Sequence, residues 1–150
     1  MNKLLIVLLS ILLLIVITFF VLGVMSKKGE APGLKSGQLQ ACTSTENCVI
    51  SEVINGKPNT IEPYAFEEEQ GSFMVKLKTT VESLGGNVIK LNENYISATF
   101  TSGIFGFVDD LELRLTEDKL LHFRSASRVG RSDLGANKKR VEALKSMLSH

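Results

Sequence analysis

The sequence predicts an α+β domain, an antiparallel four-stranded meander flanked by helices on one face, preceded by one transmembrane helix. Three observations carry this. Leu4 to Met25 is a run of 22 residues without a charge. Residues 95–101, 107–115 and 120–129 alternate apolar and polar, the period of a half-buried strand. Two further stretches, 67–84 and 132–148, place apolar residues at helical spacing.

The apolar run comes first. At about 1.5 Å per residue it reaches about 33 Å, slightly more than a bilayer's hydrocarbon core. A cleavable signal has a shorter apolar region and a small-residue cleavage site. Gly23-Val24-Met25-Ser26 is a poor site, so an uncleaved anchor over residues 1–25 is expected. One lysine precedes the run and three follow it (Lys27, Lys28, Lys35), which by the positive-inside rule favours a cytoplasmic domain. The two cysteines, and an N-terminus that resembles a bacterial export signal, favour the periplasmic side, which is the expectation. Residues 26–40 carry Lys, Gly, Pro and Ser and read as a flexible tether. Leu39-Gln40-Ala41-Cys42 faintly resembles a lipoprotein processing site, but the polar tether separates it from the apolar run.

The soluble domain spans 41–150, enough for one modest core. Phe73, Leu77, Val81 and Leu84 form the stripe of a helix that Gly85-Gly86 stops. Asn87 to Asn92 follows as a strand with Ile89 and Leu91 on one face. In the next strand Ile96, Ala98 and Phe100 point inward. A two-residue turn at Glu93-Asn94 sets Leu91 opposite Ile96 and Ile89 opposite Ala98. From Phe107 to Leu115 the odd positions, Asp109 among them, face the core. From Leu120 to Val129, Leu121, Phe123, Ser125, Ser127 and Val129 do the same. Core must face core, so the turn between these strands has three or five residues. The shorter turn sets Glu112 opposite His122 and Asp110 opposite Arg124; the longer sets Glu112 opposite Arg124. Ser132 or Asp133 caps a last helix whose buried stripe is Leu134, Val141, Leu144 and Leu148, with Asn137 upon it.

Four stretches together resemble a known family. They are Ala41-Cys42 with Asn47-Cys48-Val49, the run Phe107-Val108-Asp109-Asp110-Leu111-Glu112, the run from Phe123 through Arg128 to Gly130, and the run from Ser132 to Glu142. They are similar to the family catalogued as domain of unknown function 1499, found in bacteria and plastid-bearing eukaryotes. The resemblance spans roughly Leu39 to Leu148. This chain departs from the family's usual pattern at Ile50, where Ser is usual, and at Lys138, where Arg is usual. The resemblance implies one fold holding all four motifs and supplies no activity.

Charge is unevenly spread. Residues 60–118 hold 11 acidic and 4 basic side chains; residues 119–150 hold 8 basic and 2 acidic. The two stretches either fold against each other or leave an anion-binding face. Cys42 and Cys48 are expected to pair as a disulfide or to lie buried as thiols. A nucleophilic Cys48 served by His122 and Asp109 or Asp110 is the catalytic alternative. Two cysteines with His122 and His150 make a weak metal site, so no metal and no cofactor is expected. Asp109, on an apolar face, needs a cation or several donors. Ser125, Ser127 and the last helix can donate, and the Arg128–Arg131 loop can supply charge. Asp109 and Asp110 are adjacent on a strand, so they point to opposite faces and make a poor acid–base pair.

Arg124, Arg128, Arg131 and Arg140 with Ser125, Ser127 and Ser132 form the densest polar cluster, and Asp109, Asp133 and Asn137 are expected to join it as ligand-binding residues. It runs from a strand end through Gly130 into a helix N-terminus, a layout that suits an anion. Asp109, Arg124, Arg128, Asp133 and Asn137 are expected to form one connected site. Aromatic platforms for nucleic acid are missing. The expected function is a non-catalytic, single-pass membrane module binding a partner protein or an anionic small ligand through this cluster. The alternative is a hydrolase-type enzyme using Asp109, Asp110 or His122.

Overall fold

The structure is a computed structural model that describes residues 2–56 and 60–149. An apolar helix, α1 (Lys3–Ser26), leads into six strands and two further helices: β1 (Cys48–Ile50), β2 (Tyr64–Ala65), α2 (Gln70–Ser83), β3 (Asn87–Leu91), β4 (Tyr95–Thr101), β5 (Val108–Leu115), β6 (Leu120–Ser127) and α3 (Ala136–Leu148). The sheet is antiparallel with order β1-β6-β5-β4-β3, and β2 also pairs with β6. The expected meander is its centre. β1 and β2, of 3 and 2 residues, are additions that the periodicity did not indicate.

Helices α2 and α3 cover one face. Their Phe73, Leu77, Val81, Val141, Leu144 and Leu148 pack on Ile96, Leu111, Leu113, Leu115, Leu121 and Phe123. β5 and β6 adopt the five-residue-turn register, with Glu112 opposite Arg124 and Leu115 opposite Leu121. Leu91 lies opposite Ile96 as the hairpin requires, but Ala98 faces Val88 rather than Ile89. A bulge between Val88 and Lys90 takes up one residue, and so reverses the facing expected upstream of it. Val88 packs on the core and Ile89 is exposed.

Two other expectations are corrected. Leu134 is not on the buried stripe: it is 89% exposed with φ +53°, and α3 begins after it. The last strand ends at Ser127, two residues short of Val129, and Gly130 turns the chain with φ +87°.

Much of the stretch read from composition as a flexible tether, residues 26–40, lies along the opposite face of the sheet. Leu39 is buried with Ile50 and Tyr95 in a second apolar cluster, which Leu34, Cys42 and Ile54 join. Hydrogen bonds hold the stretch alongside this apolar packing. Two buried carboxylates beneath the segment, Glu112 and Glu52, accept the backbone N–H groups of Gly33 (2.9 Å) and Leu39 (3.1 Å). Helix α1 is joined to the domain as well. The Ser26 hydroxyl accepts the Val108 N–H at 3.0 Å, and Phe19 stacks on Phe105 with centroids 5.2 Å apart.

Candidate functional site

Alternation along β5 and β6 sorts the polar residues onto two faces. On the face away from the helices lie three carboxylate–arginine pairs in a row. Asp110 takes a forked bond from Arg128 (2.7 and 2.9 Å). Glu112 takes Arg124 at 2.8 Å, and Glu52, from the connection after β1, takes Arg114 at 2.6 Å. The overlying segment climbs this row, passing Arg128 at Gly29, Glu112 at Gly33 and Glu52 at Leu39. The Tyr95 hydroxyl donates to Glu112 at 2.8 Å. Burial and the Glu112 charge push the Tyr95 phenol far above its usual range. The Asp110 bonds hold the Arg128 guanidinium more firmly charged than usual, against burial. His122 lies at the far end of the row with Nδ1 3.1 Å from the Ser51 hydroxyl. Burial lowers its pKa, opposed by the Glu52 charge.

On the helix side, Asn137 is fully buried and joins three elements. Its Oδ1 accepts the Ser125 hydroxyl at 2.6 Å and an Arg140 N–H. Its Nδ2 donates to the Asn47 carbonyl and to the Ser127 hydroxyl, both at 3.1 Å. Arg140 also reaches Asp109 at 2.8 Å and lies 4.4 Å above the Phe100 ring. Asp133 accepts the N–H groups of Gly135 (3.0 Å) and Asn137 (2.8 Å), capping α3 from two residues before its N-cap, Gly135. Burial would raise the Asp133 pKa, but these two backbone bonds outweigh it and bring it down.

The expected single site is therefore two. Asp109, Ser125, Ser127, Asp133, Asn137 and Arg140 are one network; Arg124 and Arg128 stand on the other side of the sheet. Parity already demanded this, since even and odd positions of one strand cannot share a face. The cation beside Asp109 comes from Arg140 on α3, not from the loop after Arg128. Glu52, Tyr95, Glu112 and Arg114 belong to the outer network and were not among the expected site residues. Only Glu112 had a sequence signal, its place opposite Arg124.

The groups of a hydrolase do not converge. Asp109 and Asp110 point to opposite faces, each on its own arginine. Cys48 is bonded to Cys42, with Cα atoms 5.8 Å apart, and so presents no thiol. A cavity of about 20 Å³, room for one water, lies beside Ser97, Asp110 and Arg128. A wider cleft of about 380 Å³ is lined by Lys35, Gln40, Ile54 and their neighbours, and none of the candidate chemical groups opens into it. Among the described residues no group of three or more His, Cys, Asp or Glu could hold a metal ion. His150 lies outside the described residues.

No curated protein matches the chain. A family model described as a protein of unknown function (DUF1499) matches residues 38–148, which takes in every strand, both domain helices and both polar networks. The chain belongs to that family.

Proposed function

We propose that this chain is a non-catalytic module, held at a membrane by its retained helix with the domain on the periplasmic side, and that it works by docking a partner protein. One observation carries the non-catalytic reading. The arginines that would hold an anion or a transition state are each paired with a carboxylate of the domain: Arg114, Arg124, Arg128 and Arg140 on Glu52, Glu112, Asp110 and Asp109. A ligand at these arginines would have to break pairs whose loss strands a buried carboxylate. Retention of the helix is supported by Ser26, which is buried and bonded to both Gly23 and Val108. The Cys42–Cys48 bond favours an oxidising compartment.

A second reading, an anionic small ligand at the arginines, has one observation in its favour: the buried Nε of Arg124 lacks a hydrogen-bond partner. Inorganic phosphate separates the two. The full chain in detergent micelles is melted with increasing phosphate, as wild type and as Arg128→Ala. A structural network predicts that Arg128→Ala loses about 3 kcal/mol, the cost of stranding Asp110, and that phosphate leaves both melting curves in place. A ligand site predicts a nearly stable variant, and a wild type that phosphate stabilises and the variant does not share.

A further inference from the structure

The loop joining β4 to β5, residues 102–107, lies against helix α1. Phe105 stacks on Phe19 and meets Phe20 edge to face, both at 5.2 Å, and Phe107 meets Phe19 at 6.2 Å. The approach is closest at Gly23: a Cβ there would fall 1.9 Å from the Phe105 carbonyl oxygen. Close backbone contact over a small residue is how helices and their neighbours pack in membranes.

The geometry fixes how deep this loop must go. From Ser26 back to Phe19 is seven residues, about 10 Å along the helix axis. The 24 residues of α1 span about 36 Å against a hydrocarbon core of about 30 Å, an excess of about 6 Å. Even with all of that excess on the domain side, Phe19 and the Phe105 ring beside it lie below the hydrocarbon boundary. Lys27 and Lys28, next after the helix, fall at the headgroups. The base of the loop is closed by the Ser102 N–H on the Phe107 carbonyl and the Phe107 N–H on the Ser102 hydroxyl. Only the tip has backbone to solvate, and the headgroup boundary can do that.

A second loop lies at the same end of the sheet. β6 finishes beside the start of β5, with Ser127 opposite Asp109 and the Arg128 N–H on the Val108 carbonyl. The chain from there to α3 carries Leu134. Leu134 and Ile104, at 89% and 78%, are the most exposed large apolar residues among the described residues of the domain. Both stand at the end from which α1 departs, and Arg131, Lys138 and Lys139 flank Leu134 with exposed side chains.

We propose that this end of the domain is a membrane-docking face: Ile104 and Phe105 of one loop and Leu134 of the other enter the lipid of the same bilayer that holds α1. The domain then sits flush on the membrane, with the β3–β4 hairpin and the start of α2 beside it turned away for a partner. This rests on the retained anchor proposed above. The chain contains no tryptophan, so single tryptophans report position. The full chain is reconstituted in phosphatidylcholine vesicles with brominated acyl chains as Ile104→Trp, Leu134→Trp, Leu91→Trp and Ile11→Trp. Leu91 is half exposed at the opposite end of the sheet, and Ile11 is in mid-helix. Tryptophans at 104, 134 and 11 should lose most of their emission to the bromine, and the one at 91 should keep it. Quenching at 11 with water-like emission at 104 and 134 overturns the docking face and leaves the anchor standing. Quenching at 104 without 134 overturns the two-loop face. An unquenched tryptophan at 11 refutes the anchor and this inference with it.

Discussion

Asn137 is the residue on which the helix-side network turns, and Asn137→Ala measures it. The substitution removes the acceptor for the Ser125 hydroxyl and the donor to Asn47 and Ser127, in a place closed to water. Arg140 can still hold Ser125, at 2.9 Å, so that hydroxyl keeps one partner. The Asn47 carbonyl loses its side-chain donor, the Ser127 hydroxyl loses its amide partner, and Arg140 loses an acceptor beside its charge. Three lost neutral bonds at about 1 kcal/mol each, plus about 1–2 kcal/mol for the weakened charged one, give about 4–5 kcal/mol. For a domain of this size that lowers the melting temperature by roughly 15–20 °C. The assay is thermal unfolding of the full chain in micelles, followed by circular dichroism. Asn137→Asp is the companion: it keeps the acceptor beside Arg140 and should lose less than alanine if the arginine bond matters most. Unchanged melting of Asn137→Ala would mean that these bonds carry no stability, against the expectation for a fully buried amide with four partners.

The domain's stability should also depend on pH and redox state. Because burial depresses the His122 pKa below 6.5, the unfolded chain takes up a proton before the folded one does. Stability is then complete above about pH 6.5 and declines as pH falls toward the folded pKa, and His122→Gln should lack this decline in melts across pH 5–8. Reducing the Cys42–Cys48 bond, or making the paired Cys→Ser variant, releases a loop with sequence separation 6. Loop entropy puts that loss at about 2 kcal/mol, so equal melting with and without reductant would count against the bridge.

How much of this was legible differs by element. The long strands announced themselves, because β5 and β6 each alternate over eight residues and parity restricts their register to two choices. The pairing of Glu112 with Arg124 followed from one of these. β1 and β2 are too short for any period to show, and they exist because β6 offers them an edge. The course of residues 29–42 was invisible for a different reason: Gly33 is held by Glu112 on distant β5 and Leu39 by Glu52 in the connection after β1, and composition cannot register such pairings. The bulge at Ile89 is likewise a property of the pairing rather than of the strand. Arg140 was already among the cluster residues, but its pairing with Asp109 depends on how α3 is rotated on the sheet. The helix start fixes that rotation, and the left-handed Leu134 and Gly135 moved the start past the expected cap.

If the arginines hold the fold, a double-mutant cycle on Asp110 and Arg128 will show it. Asp110→Asn, Arg128→Gln and the double variant are melted beside wild type, which isolates the pair from the other bonds Arg128 makes, such as that to the Ser26 carbonyl. A forked, nearly buried pair predicts a coupling of at least about 1.5 kcal/mol, with the double variant more stable than the sum of the single losses allows. Single variants that melt like wild type, or losses that simply add, would contradict the claim and return these arginines to a ligand.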